Sequence, residues 1–394
     1  MASEAPSRRY PAAVSSVGSS ACAASAPARL RIGLVYDLLG THPRRSGDPP
    51  DLDAEYEPES TVEALEAAIR RAGHVPVRLG SPHELLAMAG KGELPPVDAA
   101  WNIAEGWGSR NREAWAPVLL EMLRVPTLGS DALSLSLSLD KAWALAAVAA
   151  AGVPVAPHAV LGSAAEARQA PLPAPFPLFV KPRWEGTAKG IGPGSRVESR
   201  DGLARAVERV VRGYDQPALV EAFLPGAEYT VTLVGNDPPR ALPVLQRALE
   251  ATTGIGLHAL ERHAPPPGGW RFAVPGALGA DLEARLVDLA VRSFVALECR
   301  DFARVDLRLD TADEPVFLEI NPLPTFAPDG SFGVAAELEG RPLADLLAEV
   351  LEGGLCRLGL VPGPGSGASA AAGGGADPAV RPTEESSEGQ GAPR

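Results

Sequence analysis

Two apolar runs near the C-terminal end, Phe302-Ala303-Arg304-Val305-Asp306-Leu307-Arg308-Leu309 and Pro315-Val316-Phe317-Leu318-Glu319-Ile320-Asn321, alternate with polar residues at period two. Only Asp310-Thr311-Ala312-Asp313-Glu314 separates them. This pattern predicts a β-hairpin with one buried face. Side chains two apart share a face of a strand. Arg304, Asp306 and Arg308 therefore line one side of the first run, and Glu319 and Asn321 one side of the second. Pairing the strands can bring Asp306, Glu319 and Asn321 together. Two carboxylates and an amide oxygen are hard ligands that suit a Mg²⁺ ion keeping its waters and bridging phosphates. An edge hairpin with a solvated polar face explains the same pattern, and the residues alone leave both open.

A chain of 394 residues has room for two or three packed domains. No apolar run approaches the roughly 20 residues of a membrane span, so no membrane partner is expected. A net charge of −13 without a basic block argues against general nucleic-acid binding. Cys22, Cys299 and Cys356 are odd in number and far apart. They suggest neither a disulfide framework nor a zinc site, and fit a cytoplasmic location. Residues 1–28 are rich in Ala, Ser and Pro. Arg8-Arg9 and Cys22 there suggest export or lipidation only faintly, because a sustained Leu/Ile/Val core is missing; a disordered extension is expected. The Gly-, Pro-, Ser- and Glu-rich tail over 362–394 cannot bury enough apolar surface to offset its ordering entropy and should also be disordered.

Arg31-Ile32-Gly33-Leu34-Val35 opens the ordered chain as a buried strand. Residues 59–72 read as a helix, with Val62, Leu65 and Ile69 on one face and Gly73 as its stop. Strands over 75–79 and 98–103 with a helix between them complete a β-α-β-α-β alternation, which argues for a parallel sheet. Ala104-Glu105-Gly106-Trp107-Gly108-Ser109-Arg110 follows the third strand. Ligands in open α/β sheets favour such strand ends, although a simple turn explains the loop equally well. Leu133-Ser134-Leu135-Ser136-Leu137-Ser138-Leu139 alternates like a strand. It is read here as helix, continuing through Asp140-Lys141 to Ala151 without a turn signal.

Beyond it, Pro177-Leu178-Phe179-Val180-Lys181-Pro182 is a strand. It leads into Arg183-Trp184-Glu185-Gly186-Thr187-Ala188-Lys189-Gly190-Ile191-Gly192-Pro193-Gly194-Ser195. Four glycines, a hydroxyl and a second lysine make a loop whose N–H groups and cations can close over phosphates. It matches neither a Walker A loop nor a dinucleotide fingerprint. Residues 200–211 form a helix, 217–224 and 229–234 strands, 240–245 a returning strand, 282–297 a long helix and 343–351 a closing helix.

Read in order, these motifs form a familiar series: Asp140-Lys141; Phe179-Val180-Lys181-Pro182; Glu185-Gly186-Thr187; Leu219-Val220-Glu221-Ala222-Phe223-Leu224-Pro225-Gly226-Ala227-Glu228; Ala303-Arg304-Val305-Asp306; and Glu319-Ile320-Asn321-Pro322. The series resembles the ATP-grasp superfamily, and within it the D-alanine–D-alanine ligases, over roughly residues 30–355. The resemblance implies an α/β and α+β chain, an ATP-grasp fold behind an N-terminal Rossmann-like domain. It divides the chain into 29–130 and an ATP-grasp domain over 131–355, with lobes 131–223 and 224–355. It further implies that Lys141 and Lys181 touch the nucleotide phosphates and adenine, and that Glu221, Phe223 and Leu224 form the adenine hinge. Glu228 then holds the ribose, and Asp306, Glu319 and Asn321 bind Mg²⁺, with Mn²⁺ as a substitute. Arg304 faces the acyl phosphate and tetrahedral intermediate. The loop with Glu185, Gly186, Thr187, Lys189 and Gly190 covers the γ-phosphate. The expected activity is ADP-forming ligation of a carboxylate to an amine. The expected partners are small amino acids or peptides, and the family's habit adds a homodimer.

The departures lie in the amino-acid half. The family's histidine loop after the third strand is replaced by Asn102-Ile103-Ala104-Glu105-Gly106-Trp107-Gly108. Its Gly-Gly-x-Ser-x-Glu loop has no clean counterpart, with Asp53, Glu55, Glu57 or Glu59 as substitutes. Its phosphate-binding lysine before the long helix is missing, with Arg262 or Lys189 as candidates for that cation. Ser331 stands near the serine that binds the acceptor carboxylate. D-Ala–D-Ala is therefore one candidate product among several. A different acceptor, a kinase-like phosphoryl transfer and an inactive nucleotide-binding module are the alternatives.

Overall fold

The computed structural model describes residues 29–42, 44, 46–247 and 278–362. The expectations for residues 1–28, for the tail beyond 362 and for Arg262 lie outside them.

Strand β1 (Arg31–Val35), helix α1 (Glu59–Arg71), β2 (Val75–Gly80), α2 (Pro82–Lys91), β3 (Ala99–Asn102), α3 (Trp115–Met122) and β4 (Thr127–Leu128) build a parallel sheet in the order β2-β1-β3-β4. Local chemistry sets the helix ends. Ser81 and Glu84 close a capping box at the start of α2, and Gly92 ends it in a left-handed conformation at φ 70°. In α1, Val62, Leu65 and Ile69 are buried, as their spacing predicts.

Helices α4 (Ala132–Leu139) and α5 (Lys141–Ala150) follow. The Leu-Ser alternation is helical because Asp131 caps the N–H groups of Leu133 and Ser134, and Leu135 and Leu139 fall on the buried face one turn apart. The expected continuous helix through Ala151 is wrong, since the two helices meet at 104°. Asp140 is extended at the break and caps α5 at Trp143, while its carboxylate takes Arg183 at 2.7 Å and the Trp184 indole at 3.1 Å. These tertiary partners outweigh helical continuity. No single described helix is long and apolar enough to cross a membrane.

Strand β5 (His158–Leu161), α6 (Ala164–Gln169), β6 (Leu178–Pro182), β7 (Arg196–Val197), α7 (Arg200–Tyr214) and β8 (Ala218–Ala222) give an antiparallel sheet ordered β5-β8-β6-β7. A third sheet contains β9 (Glu228–Val234), β10 (Arg240–Ala241), β11 (Leu245–Arg247), β12 (Phe302–Leu309) and β13 (Pro315–Asn321), with α8 (Ala280–Ala296) against it. The expected single strand over 240–245 is split into β10 and β11. The hairpin is β12–β13, with Asp306 paired to Glu319 and Arg304 to Asn321. Strand β12 also pairs along its length with β9, so its polar face looks into the protein and the solvated-edge alternative fails.

The chain ends on α9 (Ser331–Leu338) and α10 (Leu343–Arg357). Their Phe332, Leu346, Leu347, Val350 and Leu351 share one core with Ile32 of β1 and Val62, Leu65 and Ile69 of α1.

Candidate active site

Two cavities meet where the second and third sheets face each other. The smaller, about 90 Å³, has apolar walls from Phe179, Ile191, Leu224 and Leu318, and polar groups from Lys181, Glu221, Glu228 and Asp306. The larger, about 320 Å³, lies between the first sheet's connections and the segment after β13, with Glu57, Glu113, Thr325 and Ser331 in its wall. Lys141, Thr187, Arg247, Arg304 and Glu319 line both. That shared wall is the junction of the site.

Strand pairing builds the junction. Asp306 and Glu319 are cross-strand neighbours on β12 and β13, and Arg304 stands on the same face two residues before Asp306. Arg304 donates to one Asp306 oxygen at 2.9 and 3.2 Å, and the Thr230 hydroxyl donates to the other at 2.7 Å. Lys141, in the first turn of α5, reaches Glu319 at 3.3 Å and also donates to the Glu185 carbonyl. Burial pushes the Glu319 carboxyl up, but Lys141, Lys181, Arg304 and Arg247 outweigh it and hold it down at about 2. Lys181 pairs with Glu221 at 2.9 Å across adjacent strands, and Glu228 lies within 3.5 Å of Arg308.

The donor set suits a hard divalent cation. Asp306 and Glu319 line one cleft, and Asn321, two residues beyond Glu319 on the same strand, offers an amide oxygen beside them. No group of three or more His, Cys, Asp or Glu side chains is placed to hold a metal among those residues. The set is thus two carboxylates and an amide rather than a carboxylate cage.

Sequence reasoning missed Arg247. Its guanidinium donates to Thr230 at 3.2 Å and lies 3.7 and 3.8 Å from Glu228 and Asp306. A signal existed in the period-two position of Arg247 at the end of a short strand facing Glu228 and Thr230. Phe223 lies under two guanidinium groups, those of Arg196 at 4.5 Å and Arg308 at 5.2 Å from its ring centre.

The glycine loop lies folded down onto the first domain's long loop. Glu55 accepts from the Gly186 N–H at 2.6 Å and from Lys189 at 2.7 Å, and Asp51 accepts from the Gly190 N–H and the Tyr214 hydroxyl, each at 2.9 Å. Lys189 also pairs with Glu185. Gly190 has φ 72°, and a Cβ there would stand 2.6 Å from Pro182, so only glycine fits.

Arg112 is a second residue the sequence did not flag. It is buried after β3 and meets Glu55 at 2.8 Å, Glu113 at 3.5 Å and Glu105 at 3.9 Å. Burial alone would raise Glu55, yet Arg112 and Lys189 hold it at about 2. Glu113 is pushed up to about 7, first by burial, and Glu105 is raised by burial and by Glu113 beside it.

Of the four acidic candidates in the long loop, Asp53 pairs with Arg44 and Glu59 with Arg78. Glu55 is engaged by Arg112 and Lys189. Glu57 lines the larger cavity and is held by the Thr61 and Thr325 hydroxyls at 2.7 and 3.0 Å.

Residues 147–352 match the family described as D-ala D-ala ligase C-terminus. An uncharacterized protein of Sinorhizobium fredii is 29% identical over 341 residues, 82% of this chain and 96% of that protein. A D-alanine–D-alanine ligase of Cereibacter sphaeroides is 32% identical over 301 residues, 75% of this chain and 91% of the relative. Among solved structures, the D-alanine–D-alanine ligase of Bacillus anthracis complexed with ATP superposes with TM-score 0.60 at 20% identity, covering 84% of this chain and 98% of the other. The VanG D-Ala:D-Ser ligase of Enterococcus faecalis gives 0.62 at 18%, covering 82% and 99%. Both show the same fold. With the hairpin, the two facing sheets and the family match in hand, the chain belongs to the D-alanine–D-alanine ligase family of the ATP-grasp fold.

Proposed function

We propose that this chain is an ADP-forming carboxylate–amine ligase that uses Mg²⁺-ATP and joins small amino acids or peptides. The observation that carries the reading is the shared wall between the cavities. A nucleotide in the smaller one and a carboxylate in the larger one would meet at Lys141, Arg304 and Glu319, with Asp306 beside them on the nucleotide side. The names of the relatives support the reaction class. The altered acidic loop after β3 leaves D-Ala–D-Ala as only one candidate product.

In this reading Phe179, Ile191, Leu224 and Leu318 clasp the adenine, and Glu228 takes the ribose hydroxyls. Lys141, Lys181, Arg247 and Lys189 face the phosphates. Asp306, Glu319 and Asn321 hold Mg²⁺, which when bound neutralises charge on the transferring phosphoryl group. A substrate carboxylate oxygen attacks the γ-phosphorus, the P–O bond to ADP breaks, and an acyl phosphate forms. The amine nitrogen then attacks the acyl carbon, the C–O bond to phosphate breaks, and the amine loses its proton. Arg304 holds the oxyanion that develops between these events. Glu57 is the carboxylate available for a substrate ammonium.

The smaller cavity lies well below the ~300 Å³ usual for small-molecule sites, so the glycine loop must lift before a nucleotide enters. Closed again, it would exclude the water that hydrolyses acyl phosphates.

The test is ADP release by the full chain over a matrix of D- and L-amino acids and dipeptides, with Asp306→Asn beside it. Turnover that needs an acid–amine pair and vanishes in the variant supports the ligase. Nucleotide binding without turnover for any pair favours the inactive binding module.

A further inference from the structure

One end of the larger cavity carries more negative charge than its neighbours neutralise. Within ion-pair distance, Glu55, Glu105, Glu113 and Glu185 meet just two cations among the described residues, Arg112 and Lys189. Lys141, Arg247 and Arg304 also line the cavity, but they pair with Glu319, Glu228 and Asp306. Arg112 lies closest to Glu55, and Lys189 is shared between Glu55 and Glu185. Glu105 and Glu113 share one nitrogen, the Arg112 Nη1, at 3.9 and 3.5 Å. Both line the cavity. Glu57 lines it too, with hydroxyl partners and no ion pair among the described residues. Buried carboxylates are ordinarily matched by cations, and two that share one guanidinium nitrogen repel each other unless a further positive charge joins them.

A second observation points to a ligand in the same space. Ser331 lines the cavity at 4% exposure, and its hydroxyl has no hydrogen-bond partner among the described residues. A buried hydroxyl left unpaired is destabilising, and a polar substrate group in the cavity would satisfy it.

We propose that this cavity takes a diamino acid, whose α-ammonium meets Glu57 and whose second cationic group sits between Glu105 and Glu113. The inference rests on the ligase reading for treating the ligand as an amino acid. It adds the charge of the side chain. The Glu105–Glu113 pair lies on the connection after β3, where the chain departs from its family's histidine loop, so the altered loop becomes a determinant of substrate charge.

The experiment is a calorimetric titration of the full chain with Mg²⁺ and β,γ-imido-ATP present. The probes are D- and L-2,4-diaminobutyrate and ornithine, against 2-aminobutyrate and norvaline as neutral counterparts. The expected result is a diamino acid binding at least tenfold tighter than its counterpart, about 1.4 kcal/mol. Glu105→Gln and Glu113→Gln should each shrink that ratio severalfold. Equal or tighter binding of the neutral acids, no binding of either set, or a ratio that survives in both variants would overturn the proposal. ADP release reports separately: diamino-selective binding without turnover sinks the ligase reading alone, and turnover confined to neutral acids sinks the proposal alone.

Discussion

Arg304 and Arg247 converge on Asp306 from two strands, one at hydrogen-bond distance and one 3.8 Å away. In the ligase reading they act at different moments, and substitution should separate them. Arg304→Ala is expected to lower kcat by ~10²–10³, the usual loss for a donor to a developing oxyanion, with nucleotide affinity nearly kept. Arg247→Ala is expected to weaken Mg²⁺-ATP binding ~10-fold or more, as for a lost charged hydrogen bond, with a smaller effect on kcat. Steady-state ADP release and nucleotide titration check both. Glu113 gives a pH signature. Its carboxyl is raised to about 7 in the folded chain, so the folded state keeps a proton that the unfolded chain has released. The stability it contributes is present below the unfolded value near 4.5 and is lost as pH rises through about 7. Glu55 and Glu319, held at about 2, contribute in the opposite sense, and their share is lost as pH falls from about 4.5 toward 2. Thermal melts across pH 5–9 should therefore show a decline of order ~1–3 kcal/mol that Glu113→Gln flattens.

The glycine loop is fastened by carboxylates that lie far away in the chain. Glu55 and Lys189 are 134 residues apart and Asp51 and Gly190 are 139 apart. Asp51→Ala should free the Gly190 N–H and the Tyr214 hydroxyl. It is expected to speed protease cleavage near residue 190 and to raise ADP release that yields no amide, read by comparing ADP with product. The hinge at Asp140 is equally specific. Asp140→Ala removes the cap on α5 and leaves Arg183 without its partner, and should cost about 1–2 kcal/mol in urea unfolding. These distances in sequence explain which parts of the site could be read in advance. The hairpin was legible because period two and a five-residue link act locally. Arg304, Asp306 and Glu319 followed from it. The 104° break between α4 and α5 was not, since Arg183 and Trp184 impose it from more than 40 residues away. Arg112 and Arg247 stayed hidden for the same reason: each is an ordinary arginine until distant carboxylates assemble around it.

The cores tie the whole chain together more tightly than three successive units suggest. Helix α10 lies against α1, and Leu347 and Leu351 are fully buried there beside Leu65 and Ile69. Around it, Arg71 pairs with Asp345 at 2.6 Å and Arg357 with Asp301 at 2.7 Å. Leu347→Ala should cost ~2–5 kcal/mol, and unfolding followed by Trp101, buried in the same core, should shift with it. The dependence of one face of the first sheet on residues 343–357 also sets the order of events during synthesis. A growing chain makes β1, α1, β2 and β3 well before α10, so the apolar face that α10 covers stays open until residues 343–357 have left the ribosome. Domains usually mature from the N-terminus forward. Here the first sheet is sealed only when α10 emerges, and at 5–20 residues per second the roughly 240 residues between β3 and α10 hold it open for about 12–50 seconds, the interval in which a chaperone has the most to protect.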